Sequence, residues 1–95
     1  MKISKSFKDS LLLAAPDPQL SPVLKSLWYD AKGDWKKAHD LVDGLPGAES
    51  AWVHAYLHRK EGDIWNSDYW YARAKKVRPD VTLEVEWESL VNHFA

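Results

Sequence analysis

The stretch that constrains this chain most opens at Gly62-Asp63. Glycine takes the positive φ that ends a helix without steric cost. Aspartate is a favoured N-cap, its carboxylate accepting from free N–H groups of the next turn. Between two periodic segments the pair therefore marks helix, tight turn, helix. From Ile64 no Gly or Pro interrupts until Pro79, and Ser67, Tyr71, Ala74 and Arg78 recur at the four–three–four spacing of one helical face. Arg73, Lys75, Lys76 and Arg78 crowd the expected last turns, where cations offset the negative end of a helix. Pro79 is expected to stop it. The same corner occurs once before: Lys32-Gly33-Asp34-Trp35 precedes Glu61-Gly62-Asp63-Ile64 by 29 residues. Two corners predict two helical hairpins.

The remaining segments are read around them. Residues 4–14 predict a first helix with Ser4 as cap, Phe7, Leu11 and Ala14 on one face and Leu12 and Leu13 widening it. Pro16 and Pro18 end it. Ser21 caps the next helix and Pro22 takes its first position; Val23, Leu24, Leu27, Trp28 and Ala31 form its apolar stripe to about Lys32. A short third helix, from about Asp34 to Asp43, carries Trp35, Ala38, Leu41 and Val42, and Gly44-Leu45-Pro46-Gly47 cuts it. The fourth, about Ala48 to Lys60, is apolar over more than half its circumference, which predicts a central helix contacted on several sides. Thr82 caps a sixth, to about Phe94, with Leu83, Trp87, Leu90, Val91 and Phe94 in one stripe. Glu84, Glu86 and Glu88 are expected to solvate its outer face. The fold expected is all-α, with five or six short antiparallel helices in one domain over 1–95. Its parts are an N-terminal helix (1–18), a truncated hairpin (19–45), a full hairpin (46–79) and a capping helix (80–95).

The order turn, small residue, aromatic, small residue, proline in Gly62, Asp63, Ser67, Tyr71, Ala74 and Pro79 resembles the tetratricopeptide repeat. In the helix before it, Ala55 falls where that repeat has a small residue. Ala51 falls where it usually has Trp, with Trp52 one place along, and His58 where it usually has Tyr. The 29-residue offset is shorter than the repeat's usual length of about 34. The resemblance implies a protein–protein interaction module. It places Trp52, Tyr56 and Arg59 on the concave side, where that family binds peptide segments, with Glu49 and Lys60 at the margin. An aromatic floor with a cationic rim suits an extended peptide. The same residues would serve equally as core, with Trp52 and Tyr56 packed under a flanking helix and Arg59 paired to an acid.

Composition narrows the function classes. A net charge of −1 gives no electrostatic case for nucleic acid or an anionic membrane surface. The chain has no cysteine, hence no disulfide and no thiol chemistry, which fits a reducing cytoplasm. Lys2, Lys5 and Lys8 before Leu11-Leu12-Leu13 superficially resemble a signal peptide, but the apolar run is too short and Asp9 interrupts its approach. No glycine-rich phosphate loop and no nucleophile–base spacing supports an enzyme or a cofactor.

Two other groups remain. His54 and His58, four apart, project from one helical face, a spacing that can chelate zinc or another transition metal. His39, Asp40 or Asp43 would have to complete such a site; two histidines packed at a helix interface satisfy the same pattern. Trp65, Tyr69 and Trp70 crowd the fifth helix beside Tyr71, and they cannot all face inward. A contact with a second copy of the chain is the functional expectation for whichever faces out.

Overall fold

The computed structural model describes residues 3–95, and these are all-helical, as the periodicity expects. The helices are α1 (Ile3–Ser10), α2 (Pro22–Ala31), α3 (Trp35–Asp43), α4 (Ala48–Glu61), α5 (Ile64–Arg73) and α6 (Leu83–Phe94). Among the described residues no helix is long and apolar enough to cross a membrane.

The two corners share their main backbone features. Gly33 and Gly62 take φ of 88° and 90°. A Cβ on either would meet no atom within 4 Å, so the demand for glycine is one of torsion alone. Asp34 donates its N–H to the Tyr29 carbonyl at 2.9 Å, and Asp63 donates to His58, 29 residues on, at 3.0 Å. Their carboxylates accept from Lys37 N and Asn66 N. Where the helices of each hairpin cross, one serine donates to the carbonyl of one alanine: Ser26 to Ala38 at 2.7 Å, and Ser67 to Ala55 at 2.9 Å. The 29-residue shift carries Ser26 onto Ala55 and Ala38 onto Ser67, so the donor changes helix while the close approach stays. All four residues are buried.

Hairpin α2–α3 packs on hairpin α4–α5 through α4, which touches α2, α3, α5 and α6. The core between them holds Leu24, Leu27, Trp28, Val53, Leu57 and Leu90, each worth about 2 kcal/mol in apolar burial. Indole N–H groups tie the helices together. Trp28 donates to Ser10 Oγ, Trp35 to the Leu57 carbonyl at 2.8 Å, and Trp87 to the Leu27 carbonyl at 3.0 Å.

Three expectations change. First, α1 stops at Ser10 and not near Ala14, and it already includes Ser4, whose side chain lies outside the described residues. Ser10 Oγ donates back to Phe7 O and accepts from Trp28, while Lys32 Nζ takes the carbonyls of Leu11 and Leu13. These bonds end the helix and leave Leu12 and Leu13 exposed. Second, α5 ends at Arg73, well before Pro79. Lys75 takes φ 60°, and Lys76 N–H bonds the Tyr71 carbonyl, a left-handed stop that needs no proline. Arg78 therefore lies outside the helix and doubles back to grip Asp68 with Nε and a second guanidinium nitrogen, at 2.8 and 3.3 Å. Third, Glu86 does not solvate an outer face. It is 3% exposed, accepting from Arg59 at 2.7 Å and from the Tyr71 hydroxyl. α6 itself lies across α2 and α4, beside α1.

Candidate functional site

Residues four apart on α4 share a face, and residues two apart point to opposite sides. Trp52, Tyr56 and Lys60 thus look one way and His54 and His58 the other. α4 presents a separate chemistry on each side.

On the first side, α6 lies where the sequence analysis expected an open floor. Its stripe of Leu90, Val91 and Phe94 needs an apolar surface, and the first helices of the two hairpins offer one. Trp52 is half-buried, edge-on to His93 and Phe94, with Lys76 Nζ 4.3 Å from its ring centre. Tyr56 is 2% exposed and donates its hydroxyl to Asp30 Oδ2 at 2.8 Å. Burial and the Asp30 carboxylate push the Tyr56 hydroxyl well above its ordinary pKa, so it stays a donor. Arg59 pairs with Glu86 and also donates to the Val81 carbonyl. Lys60 donates to Asp30 Oδ1 at 2.8 Å. Glu49 sits exposed in the first turn of α4, about 16 Å along the axis from Lys60, and takes no part.

α6 does not fill this side completely. A cleft of about 420 Å³ remains between α1, α2, α4 and α6. Leu11, Ala31, Leu83 and Trp87 make its apolar wall, and Tyr56 and Asp30 lie at its base. Lys8, Lys60, Glu84 and Glu88 stand around it, Lys8 paired with Glu88. A depression of about 670 Å³ is larger; Ala15, Pro16, Pro18, Tyr29 and Leu41 line it together with five charged side chains of α2, α3 and the turn between them.

Sequence reasoning missed Asp30 and Glu86, and only Asp30 left a local sign. Asp30 is an acid in the last turn of α2, against the helix dipole, a conflict that a partner elsewhere must offset. Glu86 left none, because at about 100° per residue it lies no nearer the centre of the Leu83–Trp87–Leu90–Val91–Phe94 stripe than Glu84 does.

On the second side of α4, His54 and His58 meet His39 of α3. No family model, curated protein or solved structure matches the chain. Its site is therefore read from its own side chains. His39 and His54 share a hydrogen bond between Nε2 atoms at 3.0 Å. The ring centres of His39, His54 and His58 lie 4.7, 4.9 and 5.2 Å apart. Trp35 stacks on His39 at 4.9 Å and Trp70 on His54 at 4.0 Å, so an indole fixes two of the three ring planes. His58 turns Nδ1 to Glu61 at 2.7 Å. His54 is 2% exposed; burial, then the neighbouring imidazoles, lower its pKa to about 4. It is neutral at pH 7.

α5 carries the third group. Tyr71 is buried, Trp70 half-buried against His54, and Trp65 80% exposed, stacked on a partly exposed Tyr69. Arg73 leans over Tyr69 and Trp70.

Proposed function

We propose that the chain is a small helical module, built of two tetratricopeptide-like hairpins, that holds a protein segment in a cytoplasmic assembly. The observation that carries this reading is the cleft at Tyr56 and Lys60. It is concave, walled by apolar side chains and set with a few fixed polar groups, the usual make-up of a recognition site. Its volume accepts one bulky apolar side chain with its flanking backbone. The rim carries two lysines and two glutamates, which suits a segment with charges of both signs around that anchor and gives no continuous basic track for a nucleic acid. Asp30 holds Tyr56 and Lys60 in place before any guest arrives, and such preorganisation lowers the entropic cost of binding.

The test is selection from a random displayed-peptide library against wild-type protein, with Ala31→Trp as the control. Ala31 is exposed at the end of α2, and an indole there fills the cleft without entering the core. Expected are peptides with a shared aliphatic or aromatic anchor whose affinity falls at least tenfold in the variant, at unchanged Tm. Enrichment of nothing, or binding indifferent to Ala31→Trp, overturns the reading. A solution mass of two chains that Ala31→Trp reduces to one would make a second copy the guest.

A further inference from the structure

We propose that His39, His54 and His58 form a binding site for one divalent transition-metal ion, zinc foremost. The ligand nitrogens of the three rings all lie within 4.8 Å of one another. Zinc held tetrahedrally at about 2.0–2.1 Å from each imidazole sets its nitrogens about 3.3–3.4 Å apart and its ring centres about 5 Å apart. The observed spacings are 3.0 Å for the His39–His54 nitrogens and 4.7–5.2 Å for the ring centres. One of those two Nε2 atoms carries the shared proton; binding the ion moves that proton to Nδ1 of the same ring and tilts both rings so that their Nε2 lone pairs converge.

The surroundings fit as well. A histidine that binds metal through one nitrogen is usually oriented by a carboxylate on the other. Glu61 holds His58 Nδ1 at 2.7 Å, which leaves Nε2 for the ion. Asp40 Oδ1 lies 3.7 Å from His39 Nδ1. The stacked indoles of Trp35 and Trp70 keep two rings from turning away, so the site is formed before metal arrives. Asp43 Oδ1 stands 3.9 Å from His54 Nε2 and is mostly exposed, so a carboxylate or water from solvent can take the fourth position. Three neutral imidazoles with one carboxylate or water select zinc and its late first-row neighbours over magnesium or calcium, which want oxygen. The cluster lies on the face of α4 opposite the cleft, so the two proposals stand or fall separately.

The test uses the full chain after chelator treatment. Zinc titration followed by native mass spectrometry should show one ion per chain. Cobalt(II) should give the strong visible absorption of four-coordination. At a free zinc concentration a hundred times Kd, Tm should rise by about 11–22 °C. His39→Gln, the least buried of the three, should weaken binding at least a hundredfold, while the exposed His93→Gln should leave it unchanged. Should His39→Gln fail to fold, the imidazole nitrogen spectrum of the wild type decides. The Nε2 signals of His39, His54 and His58 should move on adding zinc, and Nδ1 of His58 should not. Movement of His58 Nδ1 alone would place the ion with Glu61 and Asp63 on the outer side and overturn the proposal. So would zinc held equally by His39→Gln, or no stoichiometric zinc at all.

Discussion

Glu86→Gln should loosen this fold more than any other single change on α6 that keeps side-chain volume. The carboxylate is buried, and it accepts from both the Arg59 guanidinium and the Tyr71 hydroxyl. Glutamine keeps the shape and one acceptor for Tyr71, but it leaves the guanidinium, only 16% exposed, without a counter-charge. Breaking a buried pair from one side costs about 3–5 kcal/mol. Arg59 retains the Val81 carbonyl and a little solvent, so the low end applies, about 3 kcal/mol. A 95-residue domain has a total stability of about 5–14 kcal/mol, so the loss is a large share. At about 4–8 °C per kcal/mol for this size, Tm should fall by about 12–24 °C. Arg59→Met should cost a similar amount, since it strands the carboxylate. The double variant should cost less than the two singles together, with a coupling of about 2 kcal/mol. Urea unfolding followed by circular dichroism measures all four corners of the cycle. A Glu86→Gln loss under about 0.5 kcal/mol, or single losses that simply add, would refute the idea that this pair anchors α6 to α4.

Three further predictions follow from other parts of the molecule. In chelator-treated protein His54 should titrate near 4, not 6.5. The unfolded chain then takes up that proton first as pH falls. The stability His54 contributes is therefore full above pH 6.5 and is lost, about 3 kcal/mol in all, on descending to pH 4. Its imidazole shift followed against pH checks this, and a midpoint near 6.5 would contradict it. Ser26→Ala and Ser67→Ala should each lose about 1 kcal/mol, and the losses should add; a loss at one hairpin only would break the equivalence of the two corners. Trp65→Ser should change unfolding free energy by no more than about 0.5 kcal/mol, because its ring is mostly in water. A drop in solution mass with that variant would assign the ring to self-association.

Local chemistry made the helices legible in the sequence. Ser21-Pro22, Asp34, Asp63 and Thr82 all start helices where capping rules put them, because an N-cap depends on residues within one turn. Helix ends were less legible where they depend on distant partners. α1 stops because Trp28 and Lys32, far along the chain, claim its last groups. α5 stops because Lys75 accepts a left-handed torsion that no composition rule assigns to lysine. The histidine pair was visible as a spacing, but its convergence with His39 depends on how α3 leans on α4. The aromatic face of α4 was visible too; that α6 would cover it was not, since a stripe announces that a helix must pack but not upon what. Asp30 and Glu86 joined the site through pairings across 26 to 30 residues that a single sequence does not display.

α1 has one consequence for how the molecule is made. It is eight residues long, too short to hold helical form alone, and it rests on α6, with Phe7 against Trp87 and Lys8 reaching Glu88. A ribosome releases α1 well before α6. Both hairpins can close while α6 is still being made, but α1, held until then only by α2, gains its Phe7–Trp87 and Lys8–Glu88 contacts last.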